Sequence, residues 1–445
     1  MLGLYAGCMQ SLIKIARKMT PKWVLSVYHF CFAYIAAIRY GFPSKKMLVI
    51  GITGTKGKTS SCYYLWSTLT AAGIKTGMLT TAAIKIGTDE KVNTMHMSMP
   101  GRFFLQKTLQ EMYDAGCEAV IVETTSQGIA QHRHRGIDYD IAIFTNLSPE
   151  HIDSHGSYEK YRAEKAKLFQ YISHKKAKVW RGKKIVPANI INIDDSEFSF
   201  YHAIYAPKKY TYGLKDGAQV HATHVLTTPH NVSFSVGPDR FDLQMPGTFM
   251  IPNALAAVTV ALHLGIDSAS TIKGIHAVDY IPGRMEEIKT ILPFRVFVDY
   301  AHEKLSMRLL IENLKMMAQG GKVIVVFGAE GGGRDKGKRK EMADVVAQNA
   351  DYAVVSDTDP YEEDPQMIVE EIGTYLEANN WKRDVQFFLI SDRRQGIRKA
   401  LILATARDIV VCTAMGAQET MVTKNGTIPW SDREVIKEEL VRLEK

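Results

Sequence analysis

Acidic residues are absent from residues 1–88 of the chain, and the first one is Asp89. Basic side chains surround an apolar run in the same region: Lys14, Arg17, Lys18, Lys22, Arg39, Lys45 and Lys46. Such an excess suits polyphosphate ligands, an anionic membrane surface or nucleic acid. Because no nucleic-acid-binding motif accompanies it, we expect no nucleic-acid partner.

Cysteine is scarce and scattered. The five cysteines are odd in number and far apart, and no two of them form a C-x-x-C pair (Cys8, Cys31, Cys62, Cys117 and Cys412). This argues against a disulfide framework and a zinc site, and it favours a reducing compartment. We therefore expect a cytoplasmic protein.

Long apolar runs are limited to residues 23–40, a stretch that contains Ser26 and His29. Its length is at the short limit for a transmembrane helix. A secretory signal is not expected, because no cleavage site stands out. We expect a helix that is either buried against the protein or in peripheral contact with a membrane. A true span remains the alternative.

The remaining chain alternates short apolar strands with helical stretches, which predicts an α/β fold. A chain of 445 residues is too long for one core. We expect a basic, apolar helical segment (1–46), a central ATP-binding domain (47–282) and a Rossmann-like C-terminal α/β domain (283–445). The central domain should combine a mostly parallel sheet with a small antiparallel one, whose predicted strands are 220–226, 232–236 and 241–245.

A phosphate-binding loop is predicted at residues 51–60, GITGTKGKTS, between an apolar strand and a helix. The glycines let successive N–H groups point at phosphate oxygens, and the helix N-terminus adds partial positive charge. Lys58 would reach the outer phosphates and Thr59 would ligate Mg²⁺. The alternative is a glycine-rich turn that binds nothing, but the complete pattern in this context favours nucleotide binding.

Two later strand ends carry polar residues. Glu123 ends a buried strand, where a carboxylate would face the phosphate loop and hold Mg²⁺ directly or through water. A helix cap or a salt bridge is the alternative. His151 follows another strand in a polar cluster, although a lone histidine is usually structural. The lysines of the next helix, Lys165 among them, would ordinarily form a solvated face.

These motifs resemble the Mur ligases, and in particular the MurE type, the UDP-N-acetylmuramoyl-dipeptide ligases of peptidoglycan synthesis. The resemblance covers about residues 47–440 in unbroken order. It rests on the phosphate loop and on ETTS (123–126), TNLSPEHIDSHGS (145–157), YRAEKAKLF (161–169), NALAA (253–257), PGRMEE (282–287), VDYAH (298–302), GRDKGKR (333–339) and SDREV (431–435).

The resemblance implies an ATP-dependent amide ligase that works through an acyl phosphate, with a nucleotide-sugar peptide and an amino acid as substrates. It implies ATP contacts at Gly54, Thr55, Gly57, Lys58, Thr59, Ser60, Asn253, Arg284 and Asp299. It implies Mg²⁺ ligands at Thr59 and Glu123, with His151 at a second Mg²⁺ beside a carbamylated Lys165. Lys58, Glu123, His151 and Lys165 would be catalytic. Substrate contacts would be Thr125, Ser126, Arg334, Lys338, Asp359 and Glu419.

The sequence departs from the MurE pattern at three places. Only about 46 residues precede the phosphate loop, where the family has a domain for the uridine diphosphate. Tyr361 stands where diaminopimelate-adding members have an arginine, and the surrounding acids would suit a cationic side chain such as lysine. Residues 414–419, AMGAQE, replace a Gly-Lys-Gly-His-Glu stretch. The alternatives are a different acceptor (lipid-linked, pseudomurein-like or polyglutamyl) or a non-catalytic ATP-binding module at the membrane.

Overall fold

The computed structural model of the protein describes residues 20–95, 97–149, 155–229, 231–332 and 336–444. His151 and Arg334, predicted as a metal ligand and a substrate contact, lie outside these ranges.

The chain forms α-helices and β-strands in alternation over most of its length. The helices are α1 (Lys22–Arg39), α2 (Lys58–Ala71), α3 (Arg102–Asp114), α4 (Ser126–Ala130), α5 (Tyr158–Ser173), α6 (Phe198–Ala203), α7 (Ile251–Leu264), α8 (Ser268–His276), α9 (Lys304–Ala318), α10 (Gly337–Asn349), α11 (Pro365–Ala378), α12 (Arg393–Leu403) and α13 (Asp432–Leu443). The strands are β1 (Leu48–Thr53), β2 (Thr76–Leu79), β3 (Ala83–Ile86), β4 (Asp89–Val92), β5 (Ala119–Glu123), β6 (Ile141–Phe144), β7 (Lys178–Trp180), β8 (Lys183–Ile185), β9 (Ala188–Asn192), β10 (Lys208–Gly213), β11 (Val220–His221), β12 (Thr223–Thr227), β13 (Val232–Val236), β14 (Asp239–Leu243), β15 (Glu286–Ile288), β16 (Arg295–Val298), β17 (Val323–Phe327), β18 (Tyr352–Val355), β19 (Phe387–Leu389), β20 (Ile409–Cys412), β21 (Thr420–Thr423) and β22 (Gly426–Pro429).

A nine-stranded sheet with β1 at its centre carries the phosphate loop. Its order is β11-β10-β9-β6-β1-β5-β2-β3-β4, and β1 pairs in parallel with β5 and β6. All six residues of β1 are buried, as expected for a strand covered on both faces. Alternate side chains of the strand enter two hydrophobic clusters, one with α2 and α7 and the other with α3 and α5. The predicted mostly parallel sheet is thereby confirmed.

The predicted small antiparallel sheet is present with three strands, β12-β13-β14, but its first strand begins later than the sequence pattern suggested. The single strand predicted at 220–226 is wrong, because β11 pairs with β10 in the large sheet whereas β12 pairs with β13. His224 has a φ of 48°, and the β12–β13 register shifts between Thr223 and Leu226. An alternating pattern reports which faces are buried and does not reveal that the partner strand changes.

A second, six-stranded sheet follows in the order β15-β16-β20-β17-β18-β19. The strands β16 to β20 are mutually parallel, and β15 is antiparallel to β16. Helices connect the parallel strands, as predicted for a Rossmann-like unit. The carboxyl ends of β16, β17, β18 and β20 lie at one edge of this sheet.

The first apolar run forms α1, which lies against α3. The alanines of α1 that are buried against the rest of the protein are Ala33, Ala36 and Ala37. Gly136 lies so close to Ala37 that a Cβ at Gly136 would collide with it. Arg102 Nε donates to the carbonyl of His29 at 3.0 Å. Among the described residues, no helix is long and apolar enough to span a bilayer.

Candidate active site

The phosphate loop joins β1 to α2 through two glycines with positive φ. These angles are 155° at Gly54 and 79° at Gly57, and L side chains rarely adopt such conformations. A Cβ at Gly57 would also meet the side-chain oxygen of Asn253, which lies on α7. The helix begins at Lys58, so its free N–H groups face the loop, the arrangement that binds phosphate.

The segment after β6 fixes the shape of the loop. The N–H of Thr55 donates to the carbonyl of Asn146, and the N–H of Lys56 donates to Asn146 Oδ1, both at 2.8 Å. The side chain of Asn146 returns a hydrogen bond of 3.1 Å to the Lys56 carbonyl. Sequence reasoning assigned Asn146 no role, although its position directly after a buried strand was a usable signal.

The Lys58 ammonium folds over the loop. Its Nζ donates to the carbonyls of Gly54 at 3.0 Å and Thr55 at 2.8 Å. The lysine predicted to meet the outer phosphates is therefore already at the loop. Ser60 is buried in the first turn of α2.

Glu123 ends β5 in a cage of hydrogen-bond donors. Its carboxylate accepts from Thr59 Oγ1 at 3.0 Å, from Thr81 N and Oγ1 at 3.1 Å each, and from Ser98 Oγ at 2.9 Å. Within the described part of the chain, Glu123 therefore neither caps a helix nor pairs with a cationic side chain. A carboxylate and a hydroxyl in direct contact beside a phosphate loop are a donor set that suits Mg²⁺, which prefers oxygen ligands. The roles of Thr81 and Ser98 were not predicted.

Lys165 is buried behind the loop rather than on a solvated face. Only 2% of it is exposed, and its Nζ donates to the Gly54 carbonyl at 2.8 Å. The same ammonium lies 4.6 Å from the centre of the Tyr161 ring. Within the described residues, no cluster of three or more His, Cys, Asp or Glu side chains could hold a metal ion.

The second sheet contributes the opposite wall of the site. Asp299 follows β16 and accepts from the N–H groups of Met285 at 2.8 Å and Ala301 at 2.7 Å. Burial raises the pKa of Asp299, and the nearby Arg284 opposes that rise. The Arg284 guanidinium lies 4.6 Å from the centre of the Tyr300 ring. This wall therefore presents a carboxylate, a guanidinium and an aromatic ring together.

A cavity of about 410 Å³ lies between the two walls. Ten of the predicted residues line it: Thr55, Gly57, Lys58, Thr59, Ser60, Glu123, Thr125, Asn253, Arg284 and Asp299. Residues predicted from the phosphate loop, from the end of β5 and from the region of the second sheet thus line one cavity. Lys56, Asn146 and His302 also line the cavity and were not predicted.

Thr125 and Ser126 occupy the start of α4. The hydroxyl of Thr125 accepts from the N–H of Gly128 at 3.2 Å and so caps this helix. Ser126 Oγ lies 3.1 Å from His155 Nε2, and desolvation lowers the pKa of His155. His155 is therefore placed beside a predicted substrate contact and was missed by the sequence reasoning.

The other predicted substrate residues lie outside the cavity. Asp359 Oδ1 accepts from the N–H of Val422 at 2.7 Å. Glu419 lies 3.9 Å from Arg433 and is half-exposed. Both follow strands of the six-stranded sheet, at its carboxyl edge. Lys338 is paired with Glu303 at 2.7 Å.

Asp357 is an incompletely satisfied carboxyl at the same edge. Its Oδ1 has no hydrogen-bond partner among the described residues. Burial raises the pKa of Asp357 to about 7, while the nearby Arg393 acts in the opposite direction. A cation bound here would restore the negative charge.

Comparisons with known proteins match the regions of both large sheets to the same family. A family model for the Mur ligase middle domain matches residues 52–261, and one for the Mur ligase, glutamate ligase domain matches residues 283–416. The chain is similar to the UDP-N-acetylmuramoyl-L-alanyl-D-glutamate--2,6-diaminopimelate ligase of Caldanaerobacter subterraneus subsp. tengcongensis. The two are 37% identical over 417 residues, which are 93% of this chain and 82% of that protein. The UDP-N-acetylmuramyl-tripeptide synthetase of Roseiflexus sp. is 33% identical over 410 residues, 90% of this chain and 80% of that protein.

Solved structures have the same fold. A UDP-N-acetylmuramoyl-L-alanyl-D-glutamate--2,6-diaminopimelate ligase superposes with a TM-score of 0.61 at 24% identity, covering 90% of this chain and 79% of that chain. E. coli FolC in complex with DHPP and ADP superposes with a TM-score of 0.64 at 19% identity, covering 89% of this chain and 95% of that chain.

Proposed function

Since this chain belongs to the Mur ligase family, we propose that it adds an amino acid to UDP-N-acetylmuramoyl-dipeptide or a closely related precursor in peptidoglycan synthesis. The reaction is an ATP-dependent ligation. A carboxylate of the precursor attacks the γ-phosphate, which gives an acyl phosphate and ADP. The amine of the amino acid then displaces phosphate, and an amide bond forms.

The observation that carries this proposal is the shared cavity. Lys58, Thr59 and Glu123 line one side of it, and Arg284 and Asp299 line the other. The loop N–H groups and Lys58 would neutralise the charge that develops on the departing ADP. Arg284 and Asp299 would orient the nucleotide from the opposite wall.

Thr59 and Glu123 are the residues that would hold Mg²⁺. A bound Mg²⁺ supplies charge neutralisation and orientation for phosphoryl transfer. Thr81 and Ser98 then act as positioning residues, because their hydroxyls donate to the Glu123 carboxylate and fix its direction. His151 is proposed as a ligand of a second Mg²⁺ from the resemblance alone.

We propose that Lys165 is carbamylated in the active enzyme. Its neutral amine would form an N–C bond with carbon dioxide and release a proton, so that a cation becomes an anion beside the phosphate loop. Support comes from its burial and from its contact with Gly54. ¹³C-bicarbonate should give a carbamate NMR signal in the wild type and none in Lys165→Gln. The same spectrum for both proteins would contradict this role.

For the incoming amino acid, we propose a cationic side chain such as lysine. Asp357 supports this, because a half-buried carboxyl with an unpartnered oxygen among the described residues, at the carboxyl edge of the sheet, would be stabilised by an ammonium group. Tyr361 stands in this segment where an arginine would grip a carboxylate. Asp359 and Glu419, also proposed as substrate contacts, lie at the same edge.

The test is phosphate release from ATP with UDP-N-acetylmuramoyl-dipeptide and a panel of single amino acids, followed by product mass. Lysine should give turnover and an adduct of matching mass, and Asp357→Asn should reduce this turnover. Turnover with diaminopimelate instead would refute the lysine assignment and leave the ligase intact. No product with any amino acid would move the search to lipid-linked, pseudomurein-like or polyglutamyl acceptors.

We also propose a division into three parts, 1–46, 47–282 and 283–445, with the first part in peripheral contact with an anionic membrane. Large apolar side chains of α1 are exposed: Trp23, Val27, Tyr28, Phe30, Ile35 and Ile38. Arg39, Lys45 and Lys46 follow them, and residues 1–88 contain no acid that would repel anionic lipid.

Vesicle sedimentation tests this contact. The protein should sediment with phosphatidylcholine vesicles that contain phosphatidylglycerol and not with phosphatidylcholine alone. Ile38→Asp should reduce binding, whereas Ile291→Asp, at an exposed apolar side chain far along the chain, serves as the matched control. Equal binding of the two variants would contradict the assignment to α1.

A further inference from the structure

One carboxylate connects the phosphate loop to the six-stranded sheet. Glu303 Oε2 lies 2.7 Å from Lys56 Nζ, and Glu303 Oε1 lies 2.7 Å from Lys338 Nζ. Lys56 is a residue of the phosphate loop, Glu303 directly precedes α9, and Lys338 is in the first turn of α10. These three residues, called here the lysine bridge, come from positions far apart in the chain.

The lysine bridge differs from an ordinary surface ion pair. Only 10% of the Glu303 side chain is exposed, whereas exposed pairs are weakened by solvent and salt. The backbone of Lys56 is itself held at both its N–H and its carbonyl by Asn146. The ion pair between Lys56 and Glu303 therefore acts on a loop whose backbone is already held in place by Asn146.

The neighbouring His302 adds no positive charge to the bridge. Its Nδ1 lies 2.7 Å from the Tyr300 carbonyl, and its Nε2 lies 3.9 Å from Glu303 Oε1. Burial and the nearby Lys56 lower the pKa of His302 to about 4. The lysine bridge thus pairs two lysine side chains with one glutamate.

We propose that Glu303 is a positioning residue for phosphoryl transfer: it docks the six-stranded sheet on the phosphate loop and sets Lys338 beside Lys56. The phosphate loop then has both ammonium groups nearby only when the six-stranded sheet is closed onto it. The carboxylate also competes with phosphate oxygens for the two lysines. This inference rests on the ATP-dependent ligation proposed above.

Because the Glu303 carboxylate competes with phosphate for the lysines, its removal should affect kcat and ATP affinity differently. Glu303→Gln should lower kcat at least tenfold, because the closed arrangement is less populated. Its affinity for ATP should be unchanged or higher, because a negative charge near the phosphate site is gone. Glu303→Asp, which keeps the charge, should recover part of kcat. Glu312→Gln, at an exposed glutamate of the same helix α9 paired with Arg308, is the matched control.

The experiment combines steady-state kinetics, equilibrium ATP binding and small-angle X-ray scattering of the full chain with ADP. Glu303→Gln and Lys338→Met should both increase the radius of gyration, and Glu312→Gln should not. Unchanged kcat in Glu303→Gln, or kcat and ATP affinity falling together, would overturn the proposal. If the wild type turns over no acceptor, the proposed function fails, and the scattering comparison still decides whether the lysine bridge holds the two parts closed.

Discussion

The buried ion pair between Arg393 and Asp432 should be one of the most sensitive stability determinants of the six-stranded sheet. Arg393 Nε and Nη2 donate to the two Asp432 oxygens at 2.8 and 2.6 Å, and neither side chain is more than 1% exposed. The same guanidinium donates to the carbonyls of Thr413 at 2.7 Å and Asp357 at 3.0 Å. One side chain therefore ties together the ends of β18 and β20.

Asp432→Asn should leave the buried guanidinium without the carboxylate to which it is hydrogen-bonded. Removing one partner of such a pair costs about 3–5 kcal/mol of the free energy of unfolding. For a unit of about 150–250 residues, each kcal/mol shifts Tm by about 2–4 °C, so we expect a drop of about 6–20 °C. Arg393→Met should be destabilising by a similar amount, because it leaves a buried carboxylate.

Thermal unfolding of the two single variants and of Arg393→Met/Asp432→Asn measures the coupling. The double variant should lose less stability than the two single variants lose in sum, because removing both partners leaves no unpaired charge behind. Lys437→Met, at an exposed i,i+3 pair with Glu434 on the same helix as Asp432, is the control and should change Tm little. A loss below about 1 kcal/mol in either single variant would refute this reasoning.

Three further predictions concern the site. Gly57→Ala should abolish nucleotide binding measured by calorimetry, because the new Cβ meets Asn253 and φ is positive; binding that survives would show that the loop relaxes. Glu123→Gln should lower ATP-dependent turnover at least about 100-fold, with Glu118→Gln as control, and full activity would remove Glu123 from the metal site. Asp357→Asn should stabilise the fold at pH 8 by about 1–2 kcal/mol, after discounting for solvent screening, and not at pH 4. The pKa of Asp357 is about 7 when folded, above the ordinary value, so wild-type stability falls as pH rises from about 4 to 7; equal Tm at pH 8 would contradict this.

The sequence predicted those site residues that are contiguous in the chain or that lie at the end of a strand. The phosphate loop is contiguous, so its pattern and flanking elements were sufficient to predict its structure. Glu123 was predictable because the carboxyl ends of parallel strands meet at one edge. Asn253, Arg284 and Asp299 were found only through the family resemblance, since nothing in their local pattern places them at the same cavity.

Contacts between distant residues were not predictable. Glu303 meets Lys56 across 247 positions, and charged residues in loops give no periodic signal of whether they are paired. The hydroxyls that surround Glu123 come from Thr81 and Ser98, which lie in irregular segments. Lys165 shows the opposite case, because its helical spacing among other lysines suggested a solvated face, yet its side chain is buried.

The placement of β20 has a consequence for synthesis of the protein on the ribosome. It is the last strand of the six-stranded sheet along the chain but lies inside the sheet, between β16 and β17. Until residue 412 has emerged, β16 and β17 have no common neighbour, and the nascent chain carries two apolar strands with unpaired edges. Such edges promote aggregation. A stalled or truncated chain that ends before Ile409 should therefore need chaperone protection, however well the nine-stranded sheet has already folded.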